Sequence, residues 1–453
     1  MKPSYPDATT AGSTFGLPST SGYGPPPIPG QPIGGAYQPQ YGSLPYHPSQ
    51  GPPQSLYSSQ PDLPPQTSHY PPPPTHPHPG YTAPPVPHPQ QPPPLPNAST
   101  YPGAPHVSHA PPSWYLGTEV PNIFVLADFI VPGYNPAGDA EKIRNATKGF
   151  GTNDDVLIST LAPLSAMKMQ AVANRFLAAY GLQLVDVLDK ESRFNFNWCL
   201  RALAMGPLGW DVWLLREAMQ GIGTKEKILT ELLLARPMSE IRLLISAYQH
   251  FTGRQLIQDV QNDLSMKTKR MFLMALSSDR SPDTTPVDYA HVARDVDVLY
   301  NAGEKRFGTD EMVFCEIFIN RSPAHLRAVF DAYPKKYKKY RSFAKVIRAE
   351  FRGHMEAALL HIYKGADPKH DQPSIYRDAK LIHQSMKGFG TRDHELIWRV
   401  VRAHWDHIRF EGIKAAYFKK QKTTLEYHIG KETSGSYRKL LLELTQSVGK
   451  VKR

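Results

Sequence analysis

Four short phrases in this chain join glycine, threonine and a distant acid: Gly149-Phe150-Gly151-Thr152, Gly221-Ile222-Gly223-Thr224, Arg306-Phe307-Gly308-Thr309 and Gly388-Phe389-Gly390-Thr391. A carboxylate stands 40 residues past the last glycine in the first two copies, at Glu191 and Asp263, and 42 past it in the others, at Glu350 and Glu432. Glycine tolerates positive φ, so such a bend can turn several carbonyl oxygens toward one point. Carbonyl oxygens plus a carboxylate are the hard-oxygen set that suits Ca2+, and the phrases offer neither the His nor the Cys of a transition-metal site. With one acid per site the attraction is weak, and water or an anionic group such as phosphate must fill the shell. Such bends are expected to hold Ca2+ poorly alone and well beside a phosphate.

Each tip residue, Phe150, Ile222, Phe307 or Phe389, is large and apolar where a loop normally meets water. That pattern suggests insertion into an interfacial apolar phase. Lys148, Lys225, Arg306, Lys387 and Arg392 flank the same phrases, and near an anionic leaflet each cation adds about 1 kcal/mol of attraction. Taken singly, Gly-x-Gly-Thr is more often a helix C-cap followed by an N-cap than a metal site, and its tip could tuck onto its own repeat. A nucleotide loop fits worse, since no copy reads G-x-x-x-x-G-K-[ST] and no strand precedes one. Recurrence with a distant acid favours the cation.

The phrases start at intervals of 72, 85 and 82 residues, the mark of stacked supersecondary units. In the first unit, helices are expected over Ala137 to Thr147, from Thr152 as N-cap to near Pro163, over Ser165 to Tyr180, around Leu182 to Leu188, and over Asn195 to Ala204. The other units follow the same order, with Arg236-Pro237, Arg321-Ser322-Pro323 and Arg402-Ala403 at the second break. No stretch alternates as a half-buried strand does, so the globular part is expected to be almost wholly α-helical. The polar, proline-broken stretch Ser277 to Pro286 reads as a surface connector between two pairs of units.

Composition separates a leader from this core. Residues 1–112 hold 34 of the 46 prolines, and their charged residues are Lys2, Asp7 and Asp62. Such a stretch cannot bury enough apolar surface to offset its ordering entropy, and disorder with polyproline II character is expected. Its charge is −1, which leaves +12 on the remainder of a chain that totals +11. There is no apolar run long enough to span a bilayer and no secretory leader pattern. Cys199 and Cys315 sit in apolar helical patterns, as two buried reduced thiols of a cytoplasmic protein would.

With these residues in view, the chain resembles the annexin family over about Asn122 to Thr445. The resemblance implies an all-α fold: four five-helix repeats in a right-handed superhelical disc, calcium loops on its convex face, preceded here by the disordered Pro/Gly/Tyr-rich tail. The expected divisions are a tail over 1–113, a lead-in over 114–136, repeats over 137–206, 207–277, 289–364 and 373–447, and a connector over 278–288. It further implies that the carbonyls of Thr147, Gly149 and Gly151 with Glu191 form one Ca2+ site, and those of Met219, Gly221 and Gly223 with Asp263 a second. Gly303, Arg306 and Gly308 with Glu350 would form a third, and Met386, Gly388 and Gly390 with Glu432 a fourth. Arg306 replaces the first loop glycine, with Gly303 standing where the family's longer loop places a carbonyl. Thr147 replaces the more usual Met, and Lys225 stands where an acid is common.

The function expected is calcium-dependent binding to anionic phospholipid membranes, serving membrane organisation, trafficking or vesicle aggregation, with the protein cytoplasmic and peripheral on membranes when Ca2+ rises. Several weak sites on one face act together, so binding should switch steeply. Oligomers on the membrane are open, and the prolines of the tail could dock protein partners. The alternative is a scaffold or nucleic-acid-associated protein acting through the tail and the basic core, for which Lys335 to Arg341 is the richest run, although a solvated helix face explains that run and no stable nucleic-acid complex is expected. No nucleophile-base set stands out among the 18 histidines, so an enzyme is not expected. Ion conduction through a polar centre of the disc has no direct support in the sequence.

Overall fold

The computed structural model describes residues 113–446 apart from 124–128, 150, 192–193, 222 and 283, and apart from the Glu191 side chain. The expectations for the tail, for the tips Phe150 and Ile222 and for the Glu191 carboxylate lie outside the described residues. What is described is twenty helices in four groups of five, preceded by one small ribbon.

The first group is α1 (Ala137–Ala146), α2 (Asp154–Leu161), α3 (Ala166–Tyr180), α4 (Leu184–Glu191) and α5 (Phe194–Ala204). The second is α6 (Gly206–Ala218), α7 (Glu226–Leu233), α8 (Met238–Thr252), α9 (Leu256–Asp263) and α10 (Met266–Ser277). The third is α11 (Tyr289–Ala302), α12 (Glu311–Asn320), α13 (Pro323–Lys336), α14 (Phe343–Glu350) and α15 (Gly353–Gly365). The fourth is α16 (Pro373–Ser385), α17 (Asp393–His404), α18 (His407–Gln421), α19 (Leu425–Glu432) and α20 (Gly435–Thr445). Each of the four acids is therefore the last residue of the fourth helix in its group.

Local chemistry explains most boundaries. The Ser165 hydroxyl caps α3 by accepting from the Lys168 N–H, and Gly181 ends that helix in the left-handed conformation. Ser322 caps α13 in the same way, with Pro323 at the first position, where its missing N–H is harmless. Two boundaries differ from the sequence reading. The N-cap of α2 is Asn153, whose side-chain oxygen accepts from the Val156 N–H at 3.2 Å, and not Thr152. The second break of the fourth repeat falls at Trp405-Asp406, not at Arg402-Ala403, because Asp406 caps α18 by accepting from the Arg409 N–H at 2.9 Å.

The ribbon is the element that alternation could not reveal, since each strand has only three residues: β1 (Ser113–Tyr115) pairs antiparallel with β2 (Thr118–Val120). Leu116 and Gly117, both at positive φ, make the turn. Gly117 is obligatory, because a Cβ there would stand 2.1 Å from a carboxylate oxygen of Asp406. The fully buried Tyr115 donates its hydroxyl to Asp211 at 2.7 Å, and the Leu116 N–H donates to Glu240 at 2.9 Å. This pins the ribbon between the second and fourth repeats, beside a cavity of about 390 Å³ whose mixed lining includes Arg236, Glu240, His361, Arg377 and Arg402 as well as Leu326, Ile362 and Leu381.

The repeats touch beyond their neighbours in the chain. Helix α5 packs against α17 and α20, and α2 against α20, where Ser436 donates to Asp154 at 2.5 Å and Lys439 pairs with Asp155 at 2.8 Å. Between repeats two and four, the Arg399 guanidinium grips the Glu231 carboxylate with two N–H groups, and the Trp398 indole N–H donates to the same acid at 3.1 Å. Both charged partners are buried. Cys199 and Cys315 are buried and unbonded to one another. Among the described residues no helix is long and apolar enough to cross a membrane.

Removing one charge of a buried, hydrogen-bonded pair strands the other, at a cost of about 3–5 kcal/mol. Glu231→Gln is accordingly expected to lower stability by about that much in denaturant titration, and an unchanged midpoint would show that the pair contributes nothing. The buried histidines give a pH dependence. Burial pushes the His404 imidazole down to about 4, and His361 is driven down as well, first by burial and then by the neighbouring Arg377. Folding holds these rings neutral while the unfolded chain protonates near pH 6.5. Their stabilising effect is complete above that value and is lost as pH falls toward 4. The thermal midpoint is expected to drop over that window, and His404→Asn should make the drop shallower.

Candidate calcium and membrane-docking loops

Each loop between the first and second helix of a repeat is closed by one equivalent backbone bond. The N-cap residue of the second helix donates to the last residue of the first: Asn153 to Ala146 at 2.9 Å, Lys225 to Ala218 at 2.9 Å, Asp310 to Ala302 at 2.8 Å and Arg392 to Ser385 at 2.8 Å. The bond forces the residues between to turn outward. Gly149, Gly151, Gly221, Gly223, Gly308, Gly388 and Gly390 all have positive φ, from +79° to +116°, which explains why glycine recurs. The third loop is one residue longer. Its extra residue takes up the turn through Gly303, whose carbonyl accepts from the Arg306 N–H at 3.0 Å, and Arg306 itself keeps a negative φ. An arginine is therefore tolerated where the other loops need glycine.

The distant acids come back to these bends. Thr224 donates its hydroxyl to the Asp263 carboxylate at 2.6 Å, Thr309 donates to Glu350, and Thr391 donates to Glu432 at 3.2 Å. A Cβ on Gly303 would lie 3.4 Å from the carboxyl carbon of Glu350, so that acid also adjoins the start of its loop. In the fourth loop none of the described residues donates a backbone hydrogen bond to the carbonyls of Met386, Gly388 or Gly390. Thr147 is buried and spends its hydroxyl on the Ile143 carbonyl at 2.9 Å, leaving only its backbone for the loop. Met219 is half-buried against the core and Met386 is buried, so these residues too can offer the loop only main-chain atoms.

The donor set tests the cation. Among the described residues no group of three or more His, Cys, Asp or Glu side chains converges, so a thiolate- or imidazole-rich centre has no place here. A carboxylate held at a glycine bend with carbonyls nearby fits a hard cation that takes its remaining ligands from elsewhere.

Around the bends, Phe307 and Phe389 are fully exposed, at 106% and 110% of the reference area. Lys148 and Lys387 are exposed as well. The other flanking cations have internal partners: Lys225 pairs with Glu217 at 3.0 Å, Arg306 with Asp310 at 3.8 Å and Arg392 with Glu395 at 3.3 Å. Such surface pairs are worth at most about 1 kcal/mol and can yield to a phosphate. The basic run from Lys335 is partly neutralised by the protein's own acids, with Lys335 on Asp331 at 2.6 Å and Lys336 on Asp297 at 2.5 Å. That weakens the nucleic-acid alternative.

The sequence reading took the loop threonine for a cap and missed its bond to the acid. The available signal was its presence in all four copies, including the two whose N-cap residues, Lys225 and Arg392, provide no side-chain cap.

A four-repeat helical protein with glycine bends latched to remote acids is a defined class. The annexin family model matches residues 138–203, 211–275, 294–362 and 377–444, and the chain belongs to the annexin family, known for calcium-dependent phospholipid binding. Annexin C1 of Cryptococcus neoformans is 40% identical over 342 residues, spanning 74% of this chain and 70% of the relative. Annexin A5 of Bos taurus is 36% identical over 321 residues, 70% of this chain and 96% of the relative. A solved structure of an annexin A8 point mutant with an intact N-terminus superposes with a TM-score of 0.65 at 34% identity, covering 71% of this chain and 98% of that one.

The latch can be tested by Thr309→Val, which removes the hydroxyl and keeps the shape. It is expected to weaken Ca2+ uptake in calorimetry about fivefold, the worth of one hydrogen bond of roughly 1 kcal/mol. Unchanged affinity would show that Glu350 is positioned without its threonine.

Proposed function

We propose that this protein docks on anionic phospholipid membranes when Ca2+ rises, through the loops of its four repeats. The observation that carries the reading is the return of Asp263, Glu350 and Glu432 to the glycine bends, each bound by the loop threonine. The residues that would hold the ion are the carbonyls of Thr147, Gly149 and Gly151 with Glu191, of Met219, Gly221 and Gly223 with Asp263, of Gly303, Arg306 and Gly308 with Glu350, and of Met386, Gly388 and Gly390 with Glu432. Bound Ca2+ would supply the positive charge that joins a protein acid to a lipid phosphate.

The chain's own residues do the rest. One oxygen of the acid is fixed by threonine, which sets the carboxylate's direction before any ligand arrives and lowers the entropic cost of binding. Phe307 and Phe389 stand ready to leave water, and burying a side chain of this size gains about 1.5–3 kcal/mol. Lys148 and Lys387 add a non-specific pull toward an anionic leaflet. Phe150 and Ile222 complete the set of tips in this reading. One repeat held this way binds weakly. With one repeat docked, the others act at high effective concentration, so attachment should be steep in Ca2+. The protein would then be a cytoplasmic, non-catalytic binder, peripheral on membranes, in the service of membrane organisation, trafficking or vesicle aggregation.

Co-sedimentation with phosphatidylserine vesicles tests this. The full chain is expected to pellet at millimolar Ca2+ and remain in the supernatant in chelator, while Asp263→Asn with Glu350→Gln shifts the Ca2+ midpoint upward by roughly tenfold and leaves the helical circular dichroism intact. Pelleting that ignores the chelator would sink the proposal.

A further inference from the structure

The fifth helix of every repeat begins on a residue with positive φ: Phe194 at +54°, Met266 at +49°, Gly353 at +62° and Gly435 at +60°. The four positions are equivalent, each three residues beyond the repeat's acid. Glycine adopts this conformation freely, whereas a bulky side chain meets its own backbone. Repeats three and four use glycine. Repeats one and two put a phenylalanine and a methionine there, and burial does not compensate them: Phe194 is 87% exposed and Met266 85%. Glycine would serve the fold better at both positions.

Their place points to what they serve. Thr224 donates to Asp263, and three residues of chain reach at most about 10 Å, so Met266 stands beside the second glycine bend. The same offset from Glu191 sets Phe194 at the equivalent place in repeat one. Next to Met266, Arg270 is exposed, and so is Lys267, which pairs with Glu311 at 2.7 Å in a surface contact that an anionic headgroup can replace. Single apolar knobs surrounded by polar loops cannot form the core of a protein interface, which needs roughly 1,000 Å² of complementary surface. A bilayer accepts isolated knobs, because its acyl layer closes around each one.

We infer that Phe194 and Met266 are a second row of bilayer-inserting side chains, on the acid-bearing loops of repeats one and two, and that they deepen attachment of this half of the protein to an anionic lipid surface. The inference rests on the docking reading above. It adds that the conformational strain at these positions is kept for contact with lipid.

The test uses the full chain and vesicles of phosphatidylserine and phosphatidylcholine. Phe194→Gly with Met266→Gly relieves the strain, so the thermal midpoint should not fall. The Ca2+ needed for half-maximal binding should rise about fivefold or more, as expected for the loss of two inserted apolar groups. Phe194→Asn with Met266→Asn, which also suits positive φ, should behave alike and guards against an effect of backbone loosening. In a second measurement, an environment-sensitive fluorophore on Met266→Cys should shift to the blue with vesicles and Ca2+ together, and with neither alone; the two native cysteines are buried. If the unaltered protein binds and both double variants bind with the same half-point, the inference is overturned and the docking reading stands. If the unaltered protein does not bind at any Ca2+ concentration, both fall. A change in self-association without Ca2+, with vesicle binding unaffected, would assign the two side chains to protein contact and also overturn it.

Discussion

A hydroxyl donated across some 40 residues of sequence is the contact on which the arrangement of this protein depends. Thr224 on Asp263, Thr309 on Glu350 and Thr391 on Glu432 tie the first loop of repeats two, three and four to the end of the fourth helix. The bond is short-range and of modest strength, yet it converts two separate loops into one constellation. Without it a glycine bend is merely a flexible connection, and the acid merely the end of a helix. With it, a carboxylate is held at a glycine bend by folding alone. The five helices of each repeat can be understood as the frame that brings these two loops together.

Much of this was legible from residue types. Glycine at a bend, an acid at a fixed offset and an apolar tip each have a physical reason to be what they are, and the helical spacing between them is unbroken. Three features were not legible, each for a definite reason. The ribbon around Gly117 has strands too short for any periodic pattern, and its place is dictated by Tyr115 meeting Asp211, two groups far apart in the chain. The threonine latch was hidden because the same residue in the same place is an ordinary helix cap; Asn153, Lys225, Asp310 and Arg392 hold that position instead. The strain at Phe194 and Met266 is a matter of backbone angle, to which a sequence gives no access except through the glycines of the other two repeats.

Charge is distributed unevenly between structure and surface. Several basic groups are engaged inside the molecule: Arg399 on Glu231, Arg402 on Asp211 at 2.9 Å, and Arg321 on Asp295 at 2.7 Å. Arg399 and Arg321 each satisfy their carboxylate with two bonds of a planar fork, whereas Arg402 reaches Asp211 through Nε alone. Cations left in water at the loops, such as Lys148 and Lys387, are few and lie where an anionic partner would be met.

The contact of α2 and α5 with α20 gives the four-repeat region a property that open solenoids lack. In a linear array each module meets only its sequence neighbours, so modules can be added, deleted or melted one at a time. Here the last module seals against the first, with Ser436 bonded to Asp154 and Lys439 paired with Asp155 across the contact. Evolution can thus vary the loops of a single module freely but cannot change the number of modules without leaving raw edges on two others. The copy number is fixed by closure, and diversity must be written into the loops.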